Sequence, residues 1–321
     1  MEISQAPGDY PLPIRNYSCY ILGMSKKPQT IAQFFKQFPD DETCLNHLFE
    51  IRFGQGFECP SCERPSKWFR IKAERAYSCQ WCGHHLHPTV GTPFQQTRTP
   101  LQMWFYAIFL FTTTRNGVAA KELERQLGVT YKTAWRMAHL IREHMADVDG
   151  EDPIGGAFKT VEIDETYVGG VAKGKGTGYK ANKTAIMGMM ERNGDIVTKV
   201  IPNRKRSTLE GHIFANVKPH TEIHTDEFIS YSDLGDFKGY WHKTVNHSAG
   251  EYVRGHVSTN GVEGFWSQLK RSINGTHIHV SGKHLWKYAK EAEYRFNRRD
   301  CAETMLSELL GTFGPLPERR D

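Results

Sequence analysis

Residues 160–168 read TVEIDETYV. The alternation is that of a β-strand: Val161 and Ile163 fall on one face, Glu162 and Asp164 on the other. A carboxylate in the middle of such a strand is costly unless it is exposed or paired with a cation. The stretch that follows, GGVAKGKGTGYKANK (residues 169–183), holds five glycines and four lysines. It reads as a flexible basic loop able to grip phosphates, and it lacks the GK[ST] element of a Walker loop.

Downstream, residues 184–191 and 195–201 read as two more strands joined by a hairpin turn at Arg192-Asn193-Gly194. Residues 207–217 read as an amphipathic helix. TEIHTD (residues 221–226) is the next strand and ends in a second carboxylate, Asp226, and residues 241–246 suggest one more. STNGVEGFWSQLKR (residues 258–271) reads as a helix. Glu263 and Lys270 are about two turns apart on it and share a face with Asn260. Val262, Phe265, Trp266 and Leu269 form the opposite, apolar stripe. A polar face of this kind suits a site that handles phosphates and metal. Residues 283–299 read as a last amphipathic helix, apolar through Leu285, Tyr288, Ala289, Ala292 and Phe296, whose basic residues suit contact with a nucleic-acid backbone. His242, Lys243, His247, Arg254 and His256 are candidates to line a DNA path.

Upstream, Cys59-Pro-Ser-Cys62 and Cys79-Gln-Trp-Cys82 flank a segment with hairpin character. Thiolates suit zinc, and a CxxC knuckle lets both sulfurs reach one tetrahedral ion. A zinc ribbon with a structural Zn2+ is expected, and His84, His85 and His87 read as surface or DNA-backbone histidines. Residues 30–38 and 41–52 read as short helices, the second capped by Asp41 with Leu45, Leu48 and Phe49 inward. LQMWFYAIFLFTTT (residues 101–114) is an apolar helix. Two helices, 118–127 and 131–145, are then broken at Gly128-Val129-Thr130, a helix-turn-helix pattern. Thr130 would cap the second. Its first turns would present Tyr131, Lys132, Thr133 and Arg136 to phosphates and base edges, with Ala134, Trp135, Ala138, Leu140 and Ile141 facing inward. Residues 147–157 are acidic and glycine-bearing, as in a linker.

The 321 residues suffice for roughly two domains. With 39% hydrophobic and 24% charged residues the chain is in the globular range, which excludes wholesale disorder. A net charge of +5 permits nucleic-acid binding without demanding it. No apolar run approaches the roughly 18 residues of a spanning helix, and no secretory signal pattern is seen. A cytoplasmic, nucleoid-associated protein without membrane contact is expected, with Cys19, Cys44 and Cys301 as thiols outside any disulfide.

Three strands, a helix, a fourth strand and a later helix make an order that resembles the RNase H-like fold of DDE transposases and retroviral integrases. The strings VEIDETYVGG, HTDEFISY and TNGVEGFWSQLKR resemble bacterial insertion-sequence transposases with an N-terminal zinc ribbon, the ISXO-type group. The similarity runs over about residues 30–300 and includes both CxxC pairs. It implies a multi-domain α/β chain: zinc ribbon and helix-turn-helix, then an RNase H-like mixed-sheet catalytic domain. It implies Asp164 as first acid, Asp226 as second, and Lys270 as the basic residue after the third position. That position is open between Glu263 and Asn260; Glu263 is preferred because a carboxylate is the better magnesium ligand. Catalytic Mg2+ or Mn2+ would be held by Asp164, Asp226 and Glu263, and Lys270 and Arg271 would contact DNA. The implied partner is double-stranded DNA, both terminal inverted repeats and target, bound by a homodimer or larger assembly.

The domain plan on this reading has residues 1–23 as a weakly ordered extension before Met24, the natural start, and 24–57 as a helical segment. Residues 58–98 form the ribbon, 99–147 the helix-turn-helix region, 148–158 a linker, 159–300 the catalytic domain and 301–321 a tail. The rival readings are a DNA-binding regulator with an inert catalytic domain, a metal-dependent nuclease that cuts without joining, and a structural adaptor.

Overall fold

The computed structural model describes residues 29–169, 183–231, 234, 239–246 and 253–313. The expected extension at 1–23, Cys19, most of the basic loop and His247 lie outside the described residues.

The N-terminal half opens with α1 (Ile31–Gln37) and α2 (Asp41–Arg52). Thr30 and Gln33 cap α1 reciprocally, the Thr30 side chain taking the Gln33 N–H. The cap of α2 is Asp40, not Asp41: Asp40 has the extended backbone a cap needs, and its carboxylate accepts the Thr43 N–H at 2.7 Å. Asp41 is already helical and accepts from the Gln102 N–H and from Arg75, each at 3.0 Å. The ribbon is a three-stranded antiparallel sheet of β1 (Trp68–Ile71), β2 (Ala76–Cys79) and β3 (His85–Leu86). Then come α3 (Leu101–Thr113), α4 (Ala120–Leu127) and α5 (Tyr131–Asp149).

One apolar core joins these parts. It takes Leu45 and Phe49 from α2, Trp104, Phe105 and Phe111 from α3, and Ala134, Met137 and Ile141 from α5, together with Cys59, Trp68 and Cys79 of the ribbon. The ribbon is thus not a free module. Gly128, at φ +65°, ends α4 in the left-handed conformation, and the Thr130 hydroxyl caps α5 at Thr133 N–H, 3.3 Å. Trp135 departs from the inward stripe expected for it. It is 37% exposed and packs against His139, with ring centroids 3.9 Å apart and planes tilted by 31°. Ala134, Ala138 and Ile141 define the buried stripe, and Trp135 lies about 100° around the helix from Ala134.

The second half contains β4 (Ile154–Gly155), β5 (Thr160–Val168), β6 (Thr184–Glu191), β7 (Ile196–Ile201), α6 (Arg206–Asn216), β8 (Val217–Lys218), β9 (Glu222–Asp226) and β10 (Trp241–Val245). It continues with β11 (Val253–Arg254), β12 (Val257–Ser258), α7 (Asn260–Ser272), α8 (Leu285–Asn297) and α9 (Met305–Gly311). The main sheet has the order β10-β9-β5-β6-β7. β5, β6 and β7 form an antiparallel meander, while β9 and β10 add in parallel on the other side of β5. This is a mixed, RNase H-like sheet. Alternation on β5 covers both faces: Val161 and Ile163 join Leu209 and Ile213 of α6 in one core, and Val168 joins Val262, Phe265, Trp266 and Leu269 of α7 in the other.

Two expected boundaries change. Residues 148–158 are not a free linker, because α5 runs through buried Val148 and Asp149 and Ile154–Gly155 pairs with β8. Residues 301–321 are not simply a tail, because Met305, Leu306, Leu309 and Leu310 of α9 are buried in the N-terminal core. Helix α8 lies between the halves, with Leu285 and Ala289 in the sheet-facing core and Tyr294 in the N-terminal one. Its basic residues are engaged internally: Lys290 pairs with Glu293 at 2.8 Å, Lys287 with Glu143, Arg295 with Glu291, and Arg298 with Asp149 and Glu308. Lys283, in the turn before α8, is exposed. In a fold layer between two cores, each buried charge needs a partner.

Candidate active site

In the ribbon, the loop before β1 brings Cys59 and Cys62 against Cys79 and Cys82 at the end of β2. Cys59 Sγ lies 3.6 Å from Cys82 Sγ, and Cys62 Sγ 3.8 Å from Cys79 Sγ. All four sulfurs fall within 4.8 Å of one another. A tetrahedral zinc ion with bonds of about 2.3 Å sets sulfurs about 3.8 Å apart, so this donor set fits it. Ser66 Oγ, 3.2 Å from Cys79 Sγ, and the Trp81 N–H, at 3.4 Å, can donate to the thiolate form.

The carboxylates meet on the α7 side of the main sheet. In the parallel register of β5 and β9, Glu162 stands beside His224. Two residues further on, Asp164 and Asp226 follow on the same face. Asp226 closes β9, its carboxylate accepting the Phe228 N–H at 3.0 Å. Glu263, in the first turn of α7, accepts a hydrogen bond from the Thr259 hydroxyl at 3.0 Å. Burial, then the negative charge of Asp226, with Glu263 adding to it, pushes the Asp164 carboxyl up to about 6. Trp266 places its buried indole N–H near the same carboxyl, with no hydrogen bond of ordinary geometry. Asn260 is the exposed first residue of α7. Among the described residues, Asp164, Asp226 and Glu263 are not drawn within 4.8 Å of one another as the cysteines are. Mutually repelling oxygen donors of this type fit Mg2+ or Mn2+, and a pair of such ions spreads its ligands more widely than one does.

Two glycines let α7 settle on the sheet. Gly188 of β6 is paired with Asp164, and a Cβ there would stand 2.6 Å from the Trp266 ring. Gly261 of α7 lies over Glu162, where a Cβ would stand 2.8 Å from the carboxylate. Sequence reasoning passed over Glu162 and Glu165. Glu165 is buried on the opposite face; burial, then the charges of Asp164 and Asp226, pushes it up to about 8, opposed by Arg204 at 3.9 Å. The signal was present as two extra carboxylates in VEIDET, one on each side of Asp164.

Lys270 and Arg271 are exposed on α7. Tyr131, Lys132 and Arg136 are exposed at the start of α5, and Thr133 is half-buried. The candidate DNA-path residues are largely engaged elsewhere. His242 Nε2 is 2.9 Å from Thr225 Oγ1, Arg254 donates to the Thr244 carbonyl at 2.6 Å, and Lys243 and His256 both reach Glu222, at 2.8 and 2.9 Å. Glu222, His224 and His256 have metal-ligand spacing, but the Lys243 ammonium already bridges Glu222 and His256.

Residues 155–297 match the model of the ISXO2-like transposase domain, and residues 39–85 that of the transposase zinc-ribbon domain. An uncharacterized protein in transposable element ISH50 of Halobacterium salinarum is 27% identical over 301 residues, covering 86% of this chain and 99% of that protein. An uncharacterized transposase-like protein of Haemophilus influenzae is 35% identical over 120 residues, covering 36% of this chain and 93% of that one. Zinc ribbon, mixed sheet and family matches agree in order along the sequence, and the chain belongs to the ISXO2-like transposase family of insertion sequences.

Proposed function

We propose that the protein binds the ends of its insertion sequence and carries out divalent-metal-dependent DNA strand cleavage and strand transfer. The observation that carries this reading is that Asp164, Asp226 and Glu263 lie on one side of the sheet, where burial first, and then the charges of Asp226 and Glu263, push the Asp164 carboxyl up to about 6. A buried carboxyl raised by burial and by specific neighbouring charges is a candidate functional group. Asp164, Asp226 and Glu263 hold Mg2+ or Mn2+, which when bound supplies Lewis-acid stabilisation of the attacking and leaving oxygens. Asn260 stands one turn before Glu263 and orients its surroundings or substitutes as an oxygen ligand.

The chain's own groups position the DNA. Thr259, held in the buried turn before α7, fixes the Glu263 carboxylate by its hydroxyl. Lys270 and Arg271 hold a phosphate beside the site, and Tyr131, Lys132, Thr133 and Arg136 read the element end. Water attacks the phosphodiester at the element end and breaks its P–O3′ bond, releasing a 3′-hydroxyl; that hydroxyl then attacks a target phosphodiester in line, and the target's own 3′-oxygen leaves as a hydroxyl. Two ends must be held at once, so a dimer or larger assembly on DNA is part of the proposal. The zinc ribbon keeps the DNA-reading region folded and takes no part in the reaction.

The test is a strand-transfer assay with purified protein, Mg2+ and labelled DNA from the sequences flanking its gene, run beside Asp164→Asn. Joined products that vanish in the variant support the proposal. Products that are cut and never joined would assign a nuclease, and end binding with no cleavage by either protein a regulator.

A further inference from the structure

Helix α7 carries Glu263, Asn260 and Lys270, yet it has no cap of its own. Thr259, at the N-cap position, makes no side-chain hydrogen bond to the first-turn amides and gives its hydroxyl to Glu263 instead. The missing acceptor comes from the strand below. Glu162 Oε2 accepts the N–H of Gly261 at 2.8 Å and that of Val262 at 3.3 Å. The other oxygen, Oε1, accepts from Arg192 at 2.8 Å and lies 3.4 Å from the Ser258 hydroxyl. The side chain is 5% exposed, and both of its oxygens are satisfied. A carboxylate suits this place because a helix N-terminus presents unpaired N–H groups and a partial positive charge.

The same residue sits two positions before Asp164 on β5, with its side chain on the same face. We propose that Glu162 is the positioning residue of the site, capping α7 from the strand that carries Asp164 and thereby fixing where Glu263 stands relative to Asp164 and Asp226. The inference rests on the transposase reading above. Three observations support it besides the hydrogen bonds. Gly261 leaves the room that the close approach requires, since a Cβ would stand 2.8 Å from the Glu162 carboxylate. Arg192, in the turn after β6, clamps the segment that leads into α7: it reaches the His256 carbonyl at 2.8 Å and the Ser258 hydroxyl at 3.1 Å while holding Glu162. His224, fully buried beside Glu162, is 3.3 Å from the same guanidinium through Nδ1. The first turn of α7 is thus tied to the sheet by a polar network and not only by the apolar stripe that any amphipathic helix would use.

The test uses the full-length, zinc-loaded chain and the variants Glu162→Gln and Glu162→Ala. Hydrogen exchange in Mg2+-free buffer reads the cap directly, without any activity. Amides of the peptide covering residues 259–266 should exchange about ten- to hundredfold faster in Glu162→Ala, the equilibrium equivalent of losing hydrogen bonds to a charged acceptor. Mn2+ binding, followed by electron paramagnetic resonance of the free ion with Asp164→Asn as the blank, should weaken by about tenfold or more in both variants. A purely structural role would lower the folded fraction and leave the Mn2+ affinity of the folded molecules unaltered. Should Glu162→Ala fail to fold, Glu162→Gln decides, because it keeps the size and one carbonyl acceptor. Unchanged exchange, or faster exchange with wild-type Mn2+ affinity, overturns the positioning role. A wild-type chain without Asp164-dependent Mn2+ binding overturns the proposed function itself, which separates the two failures.

Discussion

Asp164→Asn should stabilise the protein when no divalent cation is bound. Burial, then the charges of Asp226 and Glu263, moves the Asp164 carboxyl from its ordinary 3.8 up to about 6. A carboxyl whose folded pKa lies above its unfolded one supports folding fully only below the unfolded value, and the contribution is lost as pH rises through the folded one. For Asp164 the window therefore runs from 3.8 to about 6. The gap is worth about 3 kcal/mol at pH 8, with about half already lost at pH 5. Residual solvent contact at Asp164 makes this an upper figure. Asn matches Asp in shape and carries no charge, so the variant escapes the loss. At about 2–4 °C per kcal/mol for a domain of this size, it should melt up to roughly 6–12 °C above the wild type at pH 8, and about half as far above at pH 5. The assay is scanning calorimetry in buffer stripped of Mg2+ by resin, with the zinc retained. Saturating Mn2+ should then raise the melting temperature of the wild type and not of the variant. A variant that melts at or below the wild type at pH 8, or a gap that narrows from pH 5 to pH 8, refutes the electrostatic account.

Other perturbations test the frame around the site. Cys59→Ser should lower bound zinc from about one ion per chain to none by metal analysis. Because Cys59 shares a core with α2 and α3, it should also abolish cooperative melting of the N-terminal half. Gly188→Ala places a methyl 2.6 Å from the Trp266 ring; overpacking of this kind costs about 1–3 kcal/mol, visible as a lower urea midpoint, and an unchanged midpoint would contradict the close seating of α7. Arg142→Met removes the nearer of two partners of Glu291, 2.6 Å away in a buried ion pair between α5 and α8, and leaves Arg295 at 3.3 Å. A loss of about 1–3 kcal/mol is expected from the under-paired carboxylate, and the double variant with Glu291→Gln should regain most of it in a urea-unfolding cycle.

Much of the fold was legible because its signals are local. Alternation marked β5 over residues 160–168, and the helical period separated Val262, Phe265, Trp266 and Leu269 from the polar face of α7. Both CxxC pairs announced the ribbon through the chemistry of their ligands. Errors came where a residue's meaning depends on a distant partner. The basic residues of α8 suited contact with a nucleic-acid backbone, yet the acids that Lys287, Lys290, Arg295 and Arg298 meet sit on α5 and α9 and on α8 itself. Asp149 looked like linker because its partner, Arg298, is 149 residues away. The leucines of α9 looked like a tail because seven residues of helix reveal nothing of the core that receives them.

The site divides in the same way. Asp164, Asp226 and Glu263 could be proposed from a strand, a strand end, a helix face and a resemblance, since residue type and spacing carry that much. The burial of Asp164 and the neighbouring charges that together raise its carboxyl exist only after β9 pairs with β5 in register and α7 settles over Gly188. Glu162 is the clearest case. As a sequence position it is one more polar residue on an alternating strand. Tertiary structure brings a helix lacking its own cap over it, and burial turns an ordinary carboxylate into the acceptor that the helix needs. Local periodicity determined which elements form and which faces are apolar, because both follow from neighbours a few residues apart. Packing decided which charges are paired, buried or pushed together, because electrostatic partners are set by distance in space and not along the chain.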